Sequence, residues 1–228
     1  MFDIVEETGS EPSLTPKTIV YVLVHGDPDP DNEGLSSLGK NQMDELARSR
    51  VTSGVTRIYT SPKKVCLETA GGLRRNFDAS IKVKECLEGV CLPLLNQPAD
   101  EIAEVLASYW DEGYTPEEGE SLEKTRIRIS DCVNDIASRH SSDSIAIVVP
   151  PILSVLLLSL VRGGEPRIED WVMMGYCSCS TYQYSETGWE LVMPPDNSFL
   201  SRRTAVKDKL PEGVLDQLGI LQLKEDER

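Results

Sequence analysis

Apolar residues come in short bursts along this chain, and the spacing within each burst predicts an element. Thr18–Val24 is a nearly unbroken β-branched and aromatic run, the mark of a strand covered on both faces. Ser144–Val149 is the central strand, Val55–Thr60 a second strand, and Ile81–Val83 a shorter one. Between them the apolar period lengthens. Met43, Leu46 and Ala47 share one face of a helix over residues 39–50. Residues 62–74 form a second helix, with Pro62 in the favoured first position. A third spans 100–110, with Ile102, Val105 and Leu106 inward. A long one opens at Gly119-Glu120-Ser121-Leu122 and runs to Arg139, with Ile127, Ile129, Val133 and Ile136 as its core positions.

Residues 152–161 are a buried helix following the central strand. Late strands over 177–184 and 189–193 are joined through Glu186-Thr187-Gly188, a hairpin signal. Strands alternating with helices predict an α/β fold, a three-layer sandwich with a mostly parallel central sheet and helices on both faces. The expected organisation is a disordered acidic segment over 1–16, one domain over 17–203, and a tail over 204–228. In that tail Val214, Leu215, Leu218 and Leu221 stand at helical spacing after Pro211.

Composition narrows the field. A net charge of −15 argues against a nucleic-acid partner, because a phosphate backbone needs a basic face. The apolar run over 145–161 is broken by Pro150-Pro151 and is too short to span a bilayer, so no membrane association is expected. The six cysteines are scattered without zinc-knuckle spacing, and two histidines cannot complete such a site, so neither metal nor cofactor is expected. The acidic opening segment has no apolar stretch resembling a secretory signal. The cysteines therefore read as free thiols in a reducing cytoplasm.

The chemistry concentrates at one point. The first strand ends in Val24-His25-Gly26 and runs into a turn-forming loop, Asp27-Pro28-Asp29-Pro30. That places His25 at the carboxyl end of a buried strand, where α/β proteins bind their ligands. Downstream come Leu35-Ser36-Ser37-Leu38-Gly39-Lys40-Asn41-Gln42, then Ile58-Tyr59-Thr60-Ser61-Pro62, then Glu68-Thr69-Ala70. From about residue 18 to 200 this resembles the histidine phosphatase superfamily, the phosphoglycerate-mutase-like proteins. Their pattern is Arg-His-Gly, Leu-Thr-x-x-Gly-x-x-Gln, then Ser-Ser/Thr-Pro-x-x-Arg-Ala-x-x-Thr-Ala.

The resemblance implies a phosphoglycerate-mutase-like fold and a histidine, here His25, that accepts a phosphoryl group. It implies Gly26 beside the phosphate and an acid that protonates the leaving oxygen, for which Glu88 is the candidate and Glu85 a poorer one. The functional letters depart from the pattern. The arginine before the histidine is Val24, the second arginine is Val65, and the later strand's histidine is Pro151. Lys64 is the nearest basic substitute for phosphate binding, although one helical step turns a side chain by about 100°. Arg126, Arg128 and Arg162 are further basic candidates. Lysine lacks the planar fork that grips two phosphate oxygens.

Two functions follow as expectations. One is a pseudophosphatase with a binding or regulatory role, toward a protein partner or a small molecule. The other is a phosphomonoesterase using His25 and Glu88. Self-association stays open.

Overall fold

The computed structural model describes residues 16–90, 97–111, 114, 116 and 119–220. Six strands form one sheet in the order β3-β2-β4-β1-β5-β6. The strands are β1 (Thr18–Val24), β2 (Val55–Thr60), β3 (Ser80–Val83), β4 (Ser144–Val149), β5 (Cys179–Ser185) and β6 (Gly188–Asp196). β1, β2, β3 and β4 run parallel, while β5 runs antiparallel to β1 and pairs with β6 as an antiparallel hairpin at one edge. The central pair, β1 and β4, is buried along nearly its whole length, which is why both segments are unbroken apolar runs.

Helices cover both faces. On one side α1 (Ser37–Ser49) and α2 (Lys64–Arg74) pack Met43, Leu46, Cys66 and Leu73 against Leu23, Ile58 and Val148. On the other, α3 (Ala99–Trp110), α4 (Leu122–Ser138) and α5 (Pro151–Arg162) pack Leu106, Ile129, Ile136, Leu153 and Leu156 against Val22, Ile147 and Tyr182. The short α6 (Ile168–Val172) adds Trp171 to this side, and α7 (Val214–Gln217) adds Val214. α6 has no counterpart among the sequence expectations, because five residues are too few to show a helical period.

Local departures from expectation have local causes. Ile127 is 53% exposed, because α4 turns Thr125, Ile129, Cys132, Val133 and Ile136 inward, and Ile127 falls between those rows. α2 begins at Lys64 rather than Pro62. Lys63 is its cap in an extended conformation, with ψ at 134°, so Pro62 belongs to the preceding bend. At α5, by contrast, Pro151 does open the helix, and Pro150 caps it in an extended conformation.

The reading of every cysteine as a free thiol is overturned. Cys86 and Cys132 form a disulfide between a 3-10 turn (Glu85–Leu87) and α4, while Cys66, Cys177 and Cys179 are free and buried. Cys91 and the expected disordered segment lie outside the described residues, apart from Pro16 at the latter's end. The tail's first half is joined to the domain. The amides of Tyr176 and Val206 donate to the Thr204 and Met174 carbonyls, and Val214 is fully buried. Leu221 lies beyond the described residues.

Candidate functional site

His25 sits at the tip of β1, where its parallel neighbour β4 also ends. Its amide donates to the Val149 carbonyl of β4, and its own carbonyl accepts from the Cys177 amide just before β5. The backbone is thus clamped from both sides. The ring is 7% exposed and stacks on Tyr176 at a centroid distance of 5.4 Å.

The imidazole has one defined polar partner. Nδ1 lies 2.8 Å from the Gly26 carbonyl oxygen, which can only accept, so Nδ1 carries the proton and Nε2 the lone pair. Burial pulls the ring's pKa down to about 4, against the raising effect of that hydrogen bond; the Lys63 charge lowers it further and Asp27 opposes. At neutral pH the ring is an uncharged imidazole with a free nitrogen lone pair. That is the protonation state a phosphoryl acceptor needs, and equally that of a quiet buried histidine.

The loop after His25 is held by the motifs that the sequence brought forward. Gly26 donates its amide to the Thr69 hydroxyl of α2, at 3.1 Å, so this amide is spoken for and does not face a ligand. The Leu35 amide donates to Glu68 at 2.7 Å. Gln42 accepts from the Asp27 amide at 2.8 Å and donates to the Arg202 carbonyl and the Thr204 hydroxyl. Gly39 is required by close approach. A β-carbon there would lie 2.3 Å from the Asp27 carbonyl oxygen and 3.0 Å from the Asp27 nitrogen. Both neighbours are backbone and cannot swing aside. Gly39→Ala should therefore cost about 3 kcal/mol, read as a lower urea midpoint at unchanged slope. A loss under about 0.5 kcal/mol would show that this corner yields freely.

Asp27 anchors the tail. Its carboxylate accepts from the hydroxyls of Ser36 (2.7 Å) and Thr204 (2.8 Å) and from Lys209 Nζ (2.9 Å). The aspartate side chain is 3% exposed and the lysine 31%, so this pair is half-sheltered. Lys209→Met leaves two hydroxyl donors but removes, among the described residues, the one cation paired with this buried carboxylate. The expected cost is about 2 kcal/mol in urea unfolding, between a surface pair and a fully buried one. A change within about 0.3 kcal/mol would place the pair in the solvent-screened class.

The remaining positions show what the pocket has and lacks. Val24 is fully buried in the α4–α5 core, Val65 is 7% exposed in the α1–α2 core, and Pro151 is buried at the start of α5. Of the basic candidates, Arg128 is bound to Glu120 at 2.7 Å and Arg126 to Glu165 at 2.8 Å. Arg162 lines a surface groove with Met173 and Arg203. Glu120, which sits in the Gly-Glu-Ser element, also accepts from Thr125, so its contacts serve the start of α4.

Lys64 is exposed on the first turn of α2, and the lysine charge that reaches His25 is that of Lys63. Lys63 Nζ lies 3.5 Å from where a Gly89 β-carbon would sit, and that same point is 2.9 Å from Pro150 Cγ. Lys63, Gly89 and Pro150 therefore meet at one rim, with Glu88 exposed beside Gly89. The signal for Lys63 was available only through the helix boundary. Starting α2 at Pro62 makes Lys63 a helical surface residue, whereas starting it at Lys64 frees Lys63 to project from the cap. Among the described residues no group of three or more His, Cys, Asp or Glu could hold a metal ion.

The family model for the histidine phosphatase superfamily (branch 1) matches residues 21–197, from within β1 to the end of β6. The chain belongs to that superfamily. Among solved structures, Bacillus stearothermophilus YhfR is similar at 21% identity and TM-score 0.67, covering 80% of this chain and 98% of its own. A phosphoglycerate mutase from Bacillus anthracis is 13% identical at TM-score 0.67, covering 81% and 96%. A mycobacterial glucosyl-3-phosphoglycerate phosphatase is 18% identical at TM-score 0.64, covering 78% and 98%. Identities this low establish the shared phosphoglycerate-mutase-like fold. Among curated proteins none matches the chain. For this superfamily member, the pattern's glycine, glutamine and threonine now have structural reasons at Gly39, Gln42 and Thr69.

Proposed function

We propose that this chain is a catalytically impaired histidine phosphatase-superfamily protein, a pseudophosphatase whose His25 pocket serves binding or regulation. One observation carries this reading. The places where the superfamily pattern has arginine, arginine and histidine hold Val24, Val65 and Pro151, and all three are buried. A phosphoryl group spreads charge over three oxygens and needs positioned cations and donors around it. Valine and proline supply neither, and Pro151 also lacks a backbone N–H. The partner is then a protein or a small molecule not selected for phosphate, and the charge of −15 weighs against nucleic acid. We retain the cytoplasm as the proposed location, where the protein disulfides that do occur are mostly transient and redox-active.

A second reading rests on Lys63 and on the free Nε2 of His25. It is a residual phosphomonoesterase, with His25 as phosphoryl acceptor, Lys63 as its cation and Glu88 as acid. Turnover of a generic aryl phosphate by the chain and by His25→Ala separates the two. Equal residual rates support impairment. Ordinary enzymatic turnover that disappears in the variant overturns it in favour of the second reading.

A further inference from the structure

The rim that carries Glu88 and Gly89 is tied to α4 by a bond that the His25 pocket itself does not require. The Cys86–Cys132 disulfide spans a Cα–Cα distance of 5.9 Å and a sequence separation of 46. It joins residues that lie on either side of α3 in the chain. The other ties between this rim and α4 are noncovalent, with Leu87 fully buried in the same core cluster as Ile129 and Val133. Arg128 donates to the Cys86 carbonyl at 2.7 Å. Lys84 faces Asp135 at 3.7 Å, with side chains 32% and 44% exposed, a pair that solvent screens. The amides of Leu87 and Glu88 bond within the turn, to the carbonyls of Lys84 and Glu85.

Yet this turn sets where Gly89 lies, and Gly89 is in close contact with Pro150 and near Lys63 Nζ. Its position therefore sets one side of the rim at Pro150, the residue that follows the Val149 carbonyl accepting from the His25 amide. The bridge also differs chemically from the other described cysteines. Burial pushes the thiols of Cys66, Cys177 and Cys179 up to about 12, so they form almost no thiolate at neutral pH. Cys86 is half-buried and Cys132 buried, so attack on the bridge comes at the Cys86 sulfur.

We propose that Cys86–Cys132 is a redox modification site for dithiols, and that its reduction loosens the rim of the His25 pocket. A thiolate of the dithiol attacks the Cys86 sulfur, forming a mixed disulfide and breaking the Cys86–Cys132 bond. Cys132 leaves as thiolate and takes up a proton. The second thiol of the reductant, as thiolate, attacks its own mixed-disulfide sulfur, closing the reductant's ring and releasing Cys86, which is protonated. Two electrons and two protons pass from the dithiol, now oxidised, to the bridge. This control acts on access, so it holds whether the pocket binds its ligand or turns it over.

The test uses the full chain, oxidised and reduced with dithiothreitol. Peptide mapping first locates the bridge, and hydrogen exchange is then followed over seconds to minutes. In the reduced form, amides over 84–90 should exchange at least about 10-fold faster while β4 stays protected in both forms. The double variant Cys86→Ser/Cys132→Ser should show the reduced pattern and no longer respond to dithiothreitol. Unchanged exchange over 84–90 after reduction would overturn the proposal. So would loss of protection across β4, which marks a global staple, or a bridge that dithiothreitol does not open in the folded protein. Mapping that joins either cysteine to Cys91 would overturn it as well.

Discussion

At neutral pH and saturating aryl phosphate, the chain should turn over at least about 10,000-fold more slowly than a fully furnished site of this kind. Removing one oriented donor to developing charge costs on the order of 100-fold to 1,000-fold in rate. Val24, Val65 and Pro151 together stand for the absence of three such groups. Their effects do not multiply freely, because groups acting as a unit are strongly non-additive, so the expectation is set well below the product. Lys63 offsets part of the deficit as a point charge, without the two-pronged grip of a guanidinium. His25→Ala should leave the residual rate within about twofold, since an acceptor without its cradle contributes little. A turnover number near the ordinary enzymatic value of about 10 per second would end this account.

The second large effect concerns stability and pH. His25 titrates near pH 4 in the folded protein and near 6.5 when unfolded. The folded value is the lower, so between these limits the unfolded chain binds the extra proton and folding weakens as pH falls. The contribution is fully present above about pH 6.5, declines through the window, and is gone below about pH 4. Two and a half units correspond to about 3 kcal/mol. His25→Asn keeps an amide donor for the Gly26 carbonyl but does not titrate. Urea unfolding from pH 7 to pH 4 should therefore show wild type losing about 3 kcal/mol more than the variant. Parallel losses in both proteins would mean that the ring takes up its proton in the folded state at an unperturbed pH.

These two expectations draw on different layers of the chain. The strands were legible from residue type alone. β1 and β4 lie where their apolar runs do, because a strand covered on both faces leaves little room for polar residues, whereas β2 carries Thr56 and Arg57 exposed in its first half. Helix ends were less legible. Pro62 and Lys63 could equally open a helix or precede one, and packing decided for the latter. Ile127 shows the same limit, since an apolar residue on an amphipathic helix does not reveal which neighbouring row meets the sheet. The candidate site divides similarly. His25 was visible as a histidine at a strand's end, whereas Tyr176, which stacks on it, and Lys209, which binds the neighbouring Asp27, come from segments whose sequence gives no sign of convergence.

What the amino-acid order determined by itself is the fold and the identities of Val24, Val65 and Pro151 at three motif positions. Both are written in local pattern, apolar periodicity in one case and residue identity within a motif in the other. Only the folded chain decided that Cys86 pairs with Cys132, that Asp27 turns inward to the tail, and that Lys63 is the lysine whose charge His25 feels. Each joins residues far apart in sequence through a distance of a few ångströms. Such distances follow from how the layers pack, and no short window of sequence contains them.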